Sequence, residues 1–179
     1  SLIDVPVSQD PLWQGFVRAF RFDPAIERAL LDGTDDTAFE HFGDLKRYAH
    51  ALSRLTISQT ILRAGTAINV LPSSATLDLD IRPLPGTTQD EVDAILADAL
   101  GDMYHDVRIE RLICEPATVS PTSGPLYDAL VATFNEFFPG VPVVPTIAAG
   151  GSDLRFGRRL GGNGYGFALH ARERTLGDV

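Results

Sequence analysis

The stretch "ATLDLDIRPLPG", residues 75–86, decides the fold. Leu77, Leu79 and Ile81 alternate with Asp78, Asp80 and Arg82. Successive strand side chains point to opposite faces, so this pattern predicts a half-buried antiparallel strand, apolar toward helices and polar toward water. "PLPG" ends it. Thr88 then opens a helix with Glu91 three residues on. That is a capping box, in which the hydroxyl and the carboxylate each satisfy an orphan amide. Val92, Ile95, Leu96 and Leu100 form the inner stripe of this helix, and Gly101 closes it. Upstream, "LTISQTILRAG" and "TAINVLP" read as strands broken at Gly65. Downstream, "DVRIERLI" alternates again, with Val107 and Ile109 inward. The order β-β-β-α-β predicts an α+β sandwich of the split-βαβ, ferredoxin-like kind: a four-stranded antiparallel sheet covered by helices.

Residues 1–53 read as helical. Leu12, Trp13, Phe16, Val17 and Phe20 recur at helical spacing. Asp23-Pro24 and Gly33 mark the start and stop of a second helix. A third is expected over Phe42 to Leu52. "CEPATVSPTSGP" is a Pro/Ser/Thr-rich linker and a domain boundary, giving domains over 1–117 and 118–179. Beyond it the pattern becomes α/β: a helix from Pro125 to Phe138, a buried strand "VPVVPTIAA", a helix through Phe156 and Leu160, and a short strand "GYGFAL".

The junction "AAGGSDLRF", residues 148–156, is the first chemical candidate. Gly150 and Gly151 let a ligand approach the backbone closely. Ser152 can bind a ligand or simply cap the next helix. Arg155 suits a carboxylate, because its fork bonds bidentately, or it is a solvated surface charge. Asn69, just before Pro72, either bonds the turn backbone or reaches a ligand. Arg82 either pairs with Asp80 or Asp78 or faces water. His41, His50, His105 and His170 are scattered, with no partner at metal-ligand spacing. Neither a Gly-x-Ser-x-Gly elbow nor a P-loop is present.

The chain has 179 residues and a formal net charge of −9, which argues against nucleic acid or an anionic membrane as partner. No apolar run approaches the roughly 18 residues needed to span a bilayer. The opening "SLIDVPVSQDP" has neither the basic nor the apolar region of a signal peptide. Cys114 is the only cysteine, which excludes an internal disulfide and a thiolate zinc cluster. A cytoplasmic location is expected.

Four segments, taken in order, resemble metallopeptidase family 20, the di-zinc aminoacylases and carboxypeptidases. They are "TILRAGTAINVLPSSATLDLDIRPLPG", "SPTSGPLYDALVATFNEFFPG", "AAGGSDLRFGRRLGG" and "GYGFAL". Family members carry similar strings ending in Asn-Val-Ile-Pro, Arg-x-Leu-Pro-Gly and Gly-Gly-Thr-Asp-x-Arg. The resemblance covers roughly residues 55–170. It implies a zinc-bearing catalytic domain interrupted by a smaller α+β lid, which forms a homodimer. Residues 1–117 would be the lid, with 1–53 an insertion, and 118–179 a part of the catalytic domain.

By the same resemblance Asn69 contacts substrate, in many members across the dimer, Arg155 holds its carboxylate, and Gly150, Gly151 and Ser152 line the pocket. Arg82 is a further substrate or sheet-face residue. Ser152 stands where the family has Thr, which keeps the hydroxyl. The family's His-x-Asp motif, acidic pair and His-Gly-x-Asp-Glu string do not occur in this sequence, and His170 lacks the following Gly and acid. The intact enzyme would cleave a peptide or N-acyl amino acid with two zinc ions. This chain, an excised piece of it, would contain no catalytic or metal residue and would be inactive alone. Two other readings remain: a stand-alone dimerisation or small-molecule-binding module, and a complete enzyme built around Asp153, Arg155 and His170.

Overall fold

The structure, a computed structural model, describes residues 5–169. It begins with a layer of short helices. Helix α1 (Pro11–Ala19) is capped by Asp10, whose carboxylate accepts from the Leu12 amide at 2.7 Å, and starts on proline. Trp13, Phe16 and Val17 form its buried face. Helix α2 (Pro24–Asp32) also starts on proline and stops at Gly33, which takes the left-handed φ of 66°. A Cβ at Gly33 would lie 2.8 Å from Val7 Cγ2, so glycine is required twice over. The third helix differs from expectation. A 3₁₀ segment, Asp36–Leu45, is broken at Gly43 (φ 57°, ψ −127°), and helix α3 proper runs Lys46–Ser53.

These helices enclose an aromatic core of Trp13, Phe16, Phe39 and Phe42 with Val17, Leu30 and Leu52. Trp13 stacks on Phe39 at 5.9 Å and on Phe16 at 6.1 Å. Each fully buried side chain of this size contributes about 1.5–3 kcal/mol. This cluster is therefore the main store of apolar stabilisation in the chain.

Strands β1 (Thr56–Ala64) and β2 (Ala75–Arg82) pair antiparallel, from Thr56 opposite Arg82 to Ala64 opposite Ala75. A bulge separates Gln59 from Ile61. The architecture is α+β, as expected, but among the described residues the sheet has two strands and not the four of the expected lid. "TAINVLP" is instead part of the connection between β1 and β2. Gly65 (φ 70°) and a turn from Ala67 to Val70 redirect it, and Pro72 has no amide to give a ladder. "DVRIERLI" has no strand partner among the described residues. Side chains fasten it: Arg111 grips Asp93 at 2.6 Å, and Ile109 packs on the small core of Val5, Leu55, Val92 and Leu96.

Helix α4 (Gln89–Leu100) carries the expected capping box at Thr88 and Glu91, and Gly101 caps its end. Its Val92 and Leu96 are buried beside Ile57 and Ile81. The helix covers only that end of the hairpin. The same apolar row continues uncovered through Leu79 (38% exposed), Leu77 (50%) and its cross-strand partner Leu62 (72%).

The C-terminal part contains helices α5 (Pro125–Phe137) and α6 (Leu154–Arg159) and, among the described residues, no strand. The α/β expectation is corrected here. Pro142 and Pro145 remove two ladder donors from "VPVVPTIAA". In "GYGFAL", Ser120 takes both the amide and the carbonyl of Gly164. Helix α5 buries no residue completely. No helix among the described residues is long and apolar enough to cross a membrane.

Candidate functional site

The junction at residues 148–156 forms an elbow between two fastened segments. On its N-terminal side, Val144 and Ile147 pack on the aromatic core. On its C-terminal side, α6 is tied down by Arg158. The Arg158 guanidinium donates from Nε to Ser120 Oγ at 2.9 Å and from Nη2 to the Gly164 carbonyl at 2.6 Å. It also reaches Thr118. Tyr165 donates to the Pro121 carbonyl at 2.6 Å, and Arg159 pairs with Glu115. That pairing holds the Glu115 carboxyl below its usual range. Residues 115–121 are thus bound to α6 and to residues 164–165.

Within the elbow, Gly150, Gly151, Ser152 and Arg155 come together. Gly150 has open space where a Cβ would stand, and at Gly151 the nearest atom to such a Cβ is Arg155 Nη1, at 3.7 Å. Ser152, one residue before the N-cap Asp153, accepts at Oγ from the Leu154 amide at 3.2 Å. The Arg155 and Phe156 amides are engaged by the carbonyls of Ser152 and Asp153. Helix α6 therefore offers few free amides. What the elbow does offer is a guanidinium.

Arg155 lies over the Phe156 ring at 4.8 Å, and its buried Nε has no hydrogen-bond partner. It makes no ion pair among the described residues, although its charge adds a lesser pull on Glu115. Stacking on an aromatic face leaves the in-plane donors of a guanidinium available to a bidentate acceptor. An open depression of about 490 Å³ on this segment is lined by Ser152, Asp153, Gly157, Arg158 and Asn163; Gly150, Gly151 and Arg155 do not line it.

Asn69 and Arg82 are elsewhere. Asn69 is exposed in the connection that follows β1, and Arg82 ends β2. The seven residue steps of β2 put these two ends of the hairpin about 23 Å apart. Arg82 pairs with Asp80 at 2.9 Å, as the sequence allowed. No hydrogen bond or ion pair joins either residue to the elbow. His50 is partly buried on α3 beside Phe39. Burial pushes its imidazole below the usual value, aided by Arg54 and opposed by Asp36. Cys114 is exposed, its Sγ 2.9 Å from Gln89 Oε1. His170 lies outside the described residues.

Sequence reasoning passed over Arg158 and Ser120, which hold the elbow's C-terminal side. No spacing signal marks either one. Among the described residues, no three His, Cys, Asp or Glu side chains gather as metal ligands. The described residues do not fit a di-zinc centre.

Residues 19–108 match the family described as "Peptidase dimerisation domain". The chain is 32% identical over 141 residues to the probable carboxypeptidase S-like 2 of Dictyostelium discoideum, covering 78% of this chain and 24% of that protein. It is 32% identical over 129 residues to the N-fatty-acyl-amino acid synthase/hydrolase PM20D1 of Xenopus tropicalis, covering 70% of this chain and 24% of that protein. The chain thus spans about a quarter of the length of the curated relatives it matches. No solved structure matches it.

Proposed function

The chain belongs to the M20 peptidase family, whose dimerisation domain it carries, and on that premise we propose that it serves a hydrolase of peptide or N-acyl amino acid bonds. Its part is to dimerise and to grip the substrate's carboxylate. Residues 1–117 act as the lid and 118–179 as a portion of the catalytic domain. The metal-dependent step belongs to other parts of the hydrolase, and the chain alone is inactive.

The observation that carries this reading is Arg155: a guanidinium with no hydrogen bond or ion pair among the described residues, stacked on Phe156 with Gly151 beside it. A ligand carboxylate would complete it bidentately. The names of the relatives support the substrate class: one is a probable carboxypeptidase, the other acts on N-fatty-acyl amino acids. The uncovered row Leu62, Leu77 and Leu79 supports dimerisation through the lid, since a large exposed apolar surface marks an interaction site.

Isothermal titration with N-acetylphenylalanine and with its carboxamide tests the grip. The acid should bind and the carboxamide should bind at least tenfold more weakly. Arg155→Met should weaken the acid by a similar factor, because a hydrogen bond to a charged group is worth about 1.5–3 kcal/mol. Equal binding of acid and carboxamide, or an unchanged affinity in Arg155→Met, would refute it. Turnover of N-acetylphenylalanine by the unmutated chain would refute the inactivity.

A further inference from the structure

The elbow is joined to the N-terminal helical layer by one polar side chain. Tyr48, on α3, places its hydroxyl 3.0 Å from Thr146 Oγ1 and 3.3 Å from the Ile147 carbonyl oxygen. Both contacts exist together if Tyr48 donates to Ile147 and accepts from the Thr146 hydroxyl. The Tyr48 ring is itself held edge-on against Phe16, at 6.1 Å. Around this contact, Leu12, Trp13, Phe16 and Leu52 close a seam against Thr146 and Ile147. The segment has no strand ladder of its own, so these contacts are what fix it.

We propose that Tyr48 is a positioning residue: the helical layer sets the place of the elbow, and hence of Arg155, through it. This rests on the reading of the elbow as a carboxylate grip. Chain geometry shows why the contact matters. Gly150 is three residues beyond Ile147, so while Ile147 is held it can stray by no more than about 10 Å. Without that hold, the nearest fastened point upstream is Val144, packed on the aromatic core. Six residues then separate it from Gly150, a reach of about 20 Å. The other side stays pinned by Arg158. Loss of Tyr48 would free one end of the elbow and leave the other in place.

Tyr48→Phe keeps the ring on Phe16 and removes only the hydroxyl. Thr146→Val removes a partner from the opposite side. Amide hydrogen exchange at Leu154, Arg155 and Phe156 reads the elbow, and exchange in α2 reads the helical layer. Tyr48→Phe should speed exchange at the three elbow amides about 3- to 10-fold, the effect of losing one or two neutral hydrogen bonds. Exchange in α2 should not change. Thr146→Val should act in the same direction, and the double variant should be no worse than Tyr48→Phe. The dissociation constant for N-acetylphenylalanine should rise by a similar factor with the melting temperature unchanged. Unaltered elbow exchange in Tyr48→Phe would overturn the proposal, and so would an equal acceleration in α2. If N-acetylphenylalanine fails to bind the unmutated chain, the carboxylate reading falls, while the exchange rates still decide whether Tyr48 positions the elbow.

Discussion

Replacing Ser120 by alanine removes one oxygen and three hydrogen bonds. Ser120 is only 7% exposed. Its Oγ donates to the Gly164 carbonyl at 3.0 Å and accepts from the Gly164 amide at 3.0 Å and from Arg158 Nε at 2.9 Å. In the variant, the Gly164 carbonyl still has Arg158 Nη2. The Gly164 amide and Arg158 Nε do not find a replacement. A buried donor left unmade costs about 1–3 kcal/mol, and the partly buried guanidinium recovers some of its share from water. The expected loss is about 2–3 kcal/mol for the α6 region. That corresponds to about 30- to 140-fold faster exchange of the Gly164 amide wherever local opening governs exchange. The helical layer shares none of these bonds, so the denaturant midpoint followed by Trp13 fluorescence should stay put. Ser123→Ala, at an exposed serine nearby, is the control. Gly164 exchange within threefold of the unmutated rate would refute the reasoning, because Ser120 would then not be the partner that protects it.

Other expectations concern caps and protonation. Thr88→Ala breaks the capping box of α4 and should cost about 1 kcal/mol in thermal unfolding followed by circular dichroism; an unchanged midpoint would count against it. The Thr88 amide, followed by its hydroxyl, holds the Glu91 carboxyl below its usual range. The stability from that contact is therefore present above the unfolded value of about 4.3 and lost as pH falls through the lower folded value, a slope that Glu91→Gln should remove. His50 works through burial: the folded state prefers the neutral ring. Stability should be fullest above about pH 6.5 and decline as pH falls below it, because the unfolded chain binds the proton more readily. Denaturation midpoints from pH 5 to 8 should show that decline in the unmutated chain and a flatter profile in His50→Gln.

The helices were legible because their signals are local. Pro24 with Gly33, and Thr88 with Glu91, each act within a few residues, and each stands where the sequence placed it. The strands were legible only where a partner lies close in the chain. β1 and β2 are neighbours joined by a ten-residue connection, and they pair. "DVRIERLI" alternates as well as β2 does, but alternation states which face is apolar and not which strand is beside it. Proline settles "VPVVPTIAA" against a regular ladder. At the elbow, Gly150, Gly151, Ser152 and Arg155 come together because they are almost consecutive. The contacts that hold the elbow include partners 38 and 99 positions apart, Arg158 with Ser120 and Tyr48 with Ile147. No periodicity within a helix or strand encodes contacts at that separation. Asn69 carried a motif resemblance, and the structure places it in an exposed connection with no bond to the elbow.

Sedimentation equilibrium of the chain over a wide concentration range shows whether it dimerises. The account, which rests on the peptidase dimerisation domain at residues 19–108 and the uncovered apolar row of the hairpin, predicts a concentration-dependent rise to twice the 19.4 kDa chain mass. Leu77→Glu, at the centre of that row, should return the mass to that of one chain. A mass of 19.4 kDa at every concentration up to the millimolar range would contradict the account.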